Sequence, residues 1–105
     1  MEVTLSEAQN GAQFAVYMDD ILVVRLSERS GDGYRWTLAC MDTSCLETIE
    51  HRYDAARAGL GSGGASIWRF RPQREGRTRL VLTKLHPGTT GDRTTERFAV
   101  ELDIR

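Results

Sequence analysis

Hydrophobic and polar residues alternate with a period of two along most of this chain, a pattern typical of β-strands with one face in a core and one in water. The clearest case is the C-terminal segment, where the inward positions are Phe98, Val100, Leu102 and Ile104. The same alternation predicts further strands, with inward residues at Leu22, Val24, Leu26, Tyr34, Trp36, Leu38, Trp68, Phe70, Leu80 and Leu82. Phe14 and Val16 are expected on an early strand near Val3 and Leu5.

These segments indicate six or seven short strands separated by turns that contain glycine, with no strongly amphipathic helix. Such a pattern favours a β-sandwich or a small barrel. We favour the sandwich, because Trp36 on the strand entered from Gly33 is placed to fill the space between two sheets, as in immunoglobulin-like domains. The sequence therefore predicts an all-β, immunoglobulin-like β-sandwich of about seven strands, with residues 1–105 as a single domain.

The local structure of one stretch stays open, and that of a second is predicted from its turn residues alone. Residues 44–58 are compatible with a helical turn, but Ile49 and Tyr53 are equally compatible with a strand. The segment from Gln73 to Gly76 is predicted to be a hairpin turn between the two strands that flank it.

Overall charge excludes some classes of partner. The formal net charge is -1, so no global field attracts nucleic acid or an acidic membrane. Five arginines form a cluster that we interpret as the solvated face of the predicted hairpin: Arg69, Arg71, Arg74, Arg77 and Arg79. No apolar run approaches the ~18 residues that span a bilayer, and the N-terminus lacks a signal-peptide layout. The sequence predicts neither a nucleic-acid nor a membrane partner and leaves the compartment open.

The two cysteines indicate neither a disulfide framework nor a metal centre. Cys40 and Cys45 are the only cysteines and are separated by four residues, so they are either free thiols or one local disulfide. A structural zinc needs four ligands, and His51 is the only histidine nearby. A cysteine paired with His51 and Asp54 would need a geometry that spacing does not indicate, so we expect no enzyme activity, metal or cofactor.

Three connections are candidates for binding. The segment 59–64 has four glycines in six residues, which indicates either a backbone surface that a partner approaches closely or a flexible connector. The segment 29–33 joins two predicted strands as an ordinary turn, and 84–93 is long for a strand connection. Long loops on small sandwiches often bind partners.

Motifs in these three connections resemble those of chagasin and the bacterial chagasin-like inhibitors of papain-type cysteine proteases. The family's first loop reads Asn-Pro-x-Thr-Gly-aromatic-x-Trp, and its second half is present as Gly33-Tyr34-Arg35-Trp36. The second motif, Gly-x-Gly-Gly, is intact at 61–64, whereas the third, Arg-Pro-Trp, falls on His86-Pro87-Gly88. The chain departs from the family at 29–32, which reads Arg-Ser-Gly-Asp, and at Gly88.

The resemblance implies a reversible, monomeric protein inhibitor that occludes the cleft of a papain-like cysteine protease with three loops at one end of the sandwich. The first loop would cover the catalytic cysteine and histidine, the glycine-rich loop the non-primed side, and the third loop the primed side. The implied binding residues are Arg29, Ser30, Gly31, Asp32, Gly33, Tyr34, Gly61, Ser62, Gly63, Gly64, His86, Pro87 and Gly88. The alternative is a non-inhibitory adhesion or ligand-binding module that uses the same loops. The resemblance is compatible with a periplasmic or secreted protein.

Overall fold

The structure, a computed structural model, describes residues 1–29, 33–55, 64–85 and 96–105. Within these ranges the chain forms eight β-strands and one short 3-10 helix at Glu7–Gln9. The strands are β1 (Glu2–Leu5), β2 (Gln13–Val16), β3 (Ile21–Ser27), β4 (Arg35–Cys40), β5 (Leu46–Ala55), β6 (Gly64–Pro72), β7 (Gly76–Leu85) and β8 (Glu96–Ile104). No helix among these residues is long and apolar enough to cross a membrane.

The strands form two four-stranded sheets, ordered β1-β3-β6-β5 and β2-β8-β7-β4. The pairs β1-β3 and β2-β8 are parallel, and the other four pairs are antiparallel. This order confirms the predicted all-β sandwich with its immunoglobulin-like arrangement. The inward residues predicted from alternation fill the space between the sheets, with Trp36 only 2% exposed, and Val3, Phe14 and Leu38 are partly buried against this core. Tyr34 is the exception, because it precedes β4, is partly buried and lies outside the core.

Phe14 and Val16 lie on an early strand as predicted, but that strand is in the other sheet from Val3 and Leu5. Val3 lies on β1 in one sheet, whereas Phe14 lies on β2 in the other sheet. The chain changes sheet at the 3-10 helix, whose start is stabilised by a hydrogen bond from the Ser6 amide to the Gln9 Oε1 at 2.7 Å. With β1 and β2 as separate strands, the described residues form eight strands.

The predicted hairpin at 73–76 is wrong, because β6 and β7 belong to different sheets and the connection between them crosses the sandwich. Alternation shows which residues face the core, but a strand pair and a cross-over between sheets give the same pattern. The arginine cluster is therefore not one hairpin face. Arg69 and Arg71 pair with Glu2 and Glu47 on one sheet, and Arg79 pairs with Glu101 on the other.

Residues 46–55 form strand β5, which settles the open alternative in favour of a strand. This strand lies at the edge of its sheet, and nearly all its side chains are partly or fully exposed. Its register shifts between Thr48 and Glu50, as in a β-bulge. An exposed strand with a shifted register keeps no clean period of two, so its sequence carried little signal.

Candidate functional site

The three candidate connections leave the sandwich at one end. The first connection joins β3 to β4, the glycine-rich connection joins β5 to β6, and the third connection joins β7 to β8. Strands β3, β5 and β7 finish there and β4, β6 and β8 begin there, as the terminal pairs Ser27 with Ala65, Ala55 with Gly64 and Lys84 with Glu96 show. We call this the loop end. The predicted binding residues Arg29, Gly33, Tyr34 and Gly64 lie at its described edge. The others lie outside the described residues, namely Ser30, Gly31, Asp32, Gly61, Ser62, Gly63, His86, Pro87 and Gly88.

Both chain termini lie at the opposite end. The N-terminal ammonium is 3.7 Å from the Asp20 carboxylate at the start of β3, and the Arg105 amide donates to the Val16 carbonyl at 2.8 Å. The two cysteines are also remote from the loop end, because Cys40 ends β4 and Cys45 precedes β5. Both cysteines are free thiols, Cys40 exposed and Cys45 buried.

Glu28, the first residue after β3, joins the two sides of the first connection. Its carboxylate Oε1 accepts a hydrogen bond from the Trp36 amide at 2.7 Å, and the residue is only 5% exposed. The indole Nε1 of Trp36 donates to the Ser27 carbonyl at 2.9 Å. Buried polar groups stabilise a structure only when they are hydrogen-bonded, and here each bond joins β3 to β4. The base of the first connection is therefore held from both sheets.

Two further features shape the first connection. Gly33 has a φ of +81°, a backbone conformation that residues with a side chain rarely adopt. The Arg35 guanidinium donates to the carbonyls of Tyr34 at 2.9 Å and of Arg29 at 3.4 Å. The Gly-Tyr-Arg-Trp motif thus supplies a left-handed residue, a cross-link between the two arms of the connection, and the buried indole that anchors it.

Glu28 is also hydrogen-bonded to the base of the glycine-rich connection. The Glu28 amide donates to the Gly64 carbonyl at 3.1 Å, and the Tyr53 hydroxyl donates to the Glu28 carbonyl at 3.3 Å. A Cβ on Gly64 would lie 2.5 Å from Tyr53 Cζ and 2.8 Å from the Asp54 carbonyl oxygen. Real Cβ atoms do not approach other atoms so closely, so glycine is required here to admit the Tyr53 ring.

His51 lies two residues before Tyr53 on β5, and its imidazole ring stacks on the indole of Trp68. Their ring centroids are 3.6 Å apart with an interplanar angle of 13°. The Ser66 Oγ accepts a hydrogen bond from Trp68 Nε1 at 2.9 Å and lies 3.2 Å from His51 Nε2. Burial lowers the pKa of His51, and the nearby Glu28 charge opposes that shift only in part. The unprotonated nitrogen of a neutral imidazole can accept a hydrogen bond from the Ser66 hydroxyl, so this packing is compatible with uncharged His51.

Charged residues hold the third connection at its base. Lys84, whose side chain is 13% exposed, lies 3.6 Å from the Glu96 carboxylate across β7 and β8.

The Glu7 carboxylate of the 3-10 helix accepts a hydrogen bond from the Ser27 amide. Burial raises the pKa of Glu7, but hydrogen bonds from Ser27 and the charge of Lys84 outweigh it and lower the pKa overall. The 3-10 helix is thereby fixed against the end of β3.

Within the described ranges, the residues considered as a nucleophilic set each have other partners. The Cys45 thiol lies 3.6 Å from the Asp42 carboxylate, His51 contacts Ser66, and Asp54 pairs with Arg25 at 3.2 Å. The cysteine, histidine and aspartate considered as a nucleophilic set are therefore engaged elsewhere. No group of three or more His, Cys, Asp or Glu within the described ranges could hold a metal ion. What the loop end offers is a set of connections with rigid bases.

Sequence reasoning did not identify Glu28 or Tyr53. Both read as ordinary surface positions, because a glutamate after a strand and a tyrosine on an exposed strand carry no motif. Their roles depend on partners that are distant in the sequence, because Tyr53 bonds to Glu28, 25 residues away, and Glu28 bonds to Gly64 beyond it. A buried glutamate is rare without a partner, but burial is not visible in one sequence.

Comparisons with known proteins agree on one group. Residues 15–102 match the family model described as chagasin family peptidase inhibitor I42. No curated protein shows a significant match to this sequence.

Solved structures share the fold. The cysteine protease inhibitor EhICP2 from Entamoeba histolytica superposes with a TM-score of 0.90 at 19% identity, covering 99% of this chain and 96% of that one. PbICP-C, solved in complex with falcipain-2, gives a TM-score of 0.72 at 12% identity, covering 99% and 98%. The Leishmania mexicana ICP gives 0.65 at 17% identity, covering 93% and 92%. At these identities the superpositions show the common fold.

Proposed function

This chain belongs to the chagasin family of peptidase inhibitors, and we propose that it inhibits papain-like cysteine proteases by placing its loop end in their active-site cleft. The chain is thus a protein inhibitor and not an enzyme. The observation that supports this mode of binding is the convergence of three connections at one end of the sandwich, on bases held by Glu28 and Lys84.

Inhibition by this surface is occlusion. A surface held rigid before binding loses little conformational entropy on docking, so more of the contact energy appears as affinity. The protease receives loops that fill its cleft without presenting a peptide bond in the geometry that its thiolate attacks. In the sequence Asp32 stands at the position where the family carries threonine, so this mode of binding would bring a carboxylate to the thiolate and imidazolium of the catalytic pair. The imidazolium is the partner that offsets repulsion between the two anions.

Steady-state kinetics on papain test the proposal. Purified protein is titrated against papain with a fluorogenic dipeptide substrate at several substrate concentrations. We expect reversible, competitive inhibition, an inhibitor that mass spectrometry finds uncleaved afterwards, and no effect on trypsin as a serine protease control. Absence of inhibition of papain and cathepsin L at tens of micromolar would contradict the proposal and favour the non-inhibitory binding module.

A further inference from the structure

Tyr53 and Glu28 link the base of the first connection to the base of the glycine-rich connection. Glu28 makes three hydrogen bonds to other described residues, and they point in different directions. Its amide donates to the Gly64 carbonyl at 3.1 Å, its carbonyl accepts from the Tyr53 hydroxyl at 3.3 Å, and its carboxylate accepts from the Trp36 amide at 2.7 Å. One residue thus bonds to β4, β5 and β6 at the points where two connections begin or end.

The Tyr53 ring adds a steric contact to this network. It packs directly over the Cα of Gly64, in space that any side chain at that position would occupy. Tyr53 is 39% exposed, so the position of its ring depends on the hydroxyl bond and on this one-sided packing, and not on enclosure in the core. We name this set of Glu28, Tyr53 and Gly64, with the Trp36 amide, the loop brace.

We infer that Tyr53 is a positioning residue for inhibition, which acts through the loop brace to hold the first and glycine-rich connections in one fixed relation before the protease arrives. The inference rests on the proposed function and names a residue outside the three loop motifs. Its physical basis is that a binding-competent arrangement populated only part of the time reduces the apparent affinity by that fraction. The brace raises that fraction without touching the reacting atoms of the protease.

Tyr53→Phe is the direct test, because it removes the hydroxyl and keeps the ring over Gly64. In the free protein, amide hydrogen exchange measured by NMR should become about tenfold faster at Glu28, whose amide bonds to Gly64, and faster also at Trp36, since local opening governs exchange. With papain, the association rate constant should fall about fivefold, the effect of losing one hydrogen bond of ordinary strength, with a smaller change in the dissociation rate constant.

Two control variants separate positioning from general stability. Tyr17→Phe makes the same chemical change at the opposite end of the sandwich, and Val16→Ala opens a core cavity there. Both should leave the exchange at Glu28 and the association rate constant within about twofold of the wild type, even where the melting temperature falls, because the folded fraction at 25 °C stays near one.

Each outcome decides a separate point. Unchanged exchange at Glu28 and Trp36 in Tyr53→Phe would overturn the brace, and a change confined to dissociation would then identify Tyr53 as a direct contact. Faster exchange with unchanged inhibition constants would overturn the positioning role. If the wild type fails to bind any papain-like enzyme, the proposed function falls together with the role of Tyr53 in inhibition, while exchange still shows whether the brace exists.

Discussion

Gly64→Ala is the substitution whose cost the structure defines most completely. The new Cβ would lie 2.5 Å from Tyr53 Cζ and 2.8 Å from the Asp54 carbonyl oxygen, so both a side chain and the backbone of β5 must move. Overpacking of this kind costs about 1 to 3 kcal/mol. Displacing the ring also breaks the Tyr53 to Glu28 hydrogen bond, which contributes about 1 kcal/mol.

One effect opposes these losses. Alanine restricts the unfolded chain more than glycine and so stabilises the folded state by about 0.4 to 1 kcal/mol. The net expectation is a loss of about 1 to 3 kcal/mol. For a domain of this size that corresponds to a melting temperature about 5 to 15 °C lower by calorimetry. Inhibition of papain at 25 °C should also weaken by about tenfold, because the displaced ring no longer holds the two connections.

The matched control is Gly76→Ala at the opposite end. Gly76 has a φ of +138° and open space around its Cα, so alanine there is strained by the backbone alone, at a cost of about 1 to 3 kcal/mol. We expect a similar fall in melting temperature and unchanged inhibition. A Gly64→Ala protein that melts and inhibits like the wild type would refute the packing of Tyr53 on Gly64 and the reasoning built on it.

Three further predictions concern other parts of the chain. Gly88→Trp, which restores the aromatic residue of the family motif, should tighten inhibition of papain about five- to a hundredfold after ordering costs; equal or weaker inhibition would place this loop outside the primed side. Changing Cys40 and Cys45 to serine should leave the inhibition constant within about threefold, because both thiols are remote from the loop end. Since the pKa of His51 is lowered by folding, the unfolded state binds its proton first, and stability should fall as pH drops from about 7 through 6.5 towards the lower folded pKa. In His51→Gln, the free energy of unfolding from denaturant titrations should change less with pH over that range than in the wild type. An equal dependence on pH would contradict the packing described for the imidazole.

The sequence predicts burial better than it predicts neighbours. Alternation located the inward residues of β3, β6 and β8 because each strand has one buried face, and a one-residue shift would expose all of them. It could not show that the chain crosses between sheets at 73–75, since face and pairing are independent properties of a strand. Nor could it locate β5, where an edge position and a register shift remove the period.

The candidate site was predicted through motifs and not through physical pattern. The Gly-Tyr-Arg-Trp and Gly-x-Gly-Gly segments indicated which connections to consider, and the structure shows that those connections share one end. The residues that hold them in place were not predictable. Glu28 and Tyr53 act through long-range hydrogen bonds to main-chain atoms, and a main-chain partner leaves no trace in the residue type found there.

The central claim is that the loop end occupies the protease cleft, and binding to open and filled clefts tests it most directly. The protein is immobilised through its C-terminus, which lies opposite the loop end, and is exposed to papain whose catalytic cysteine is either free or alkylated by a bulky peptidyl inhibitor that fills the cleft. The account predicts saturable one-to-one binding to the free enzyme and an affinity at least about a hundredfold weaker for the filled enzyme, a loss of roughly 2.7 kcal/mol. Equal affinity for both forms would contradict it, because the contact would then lie outside the cleft.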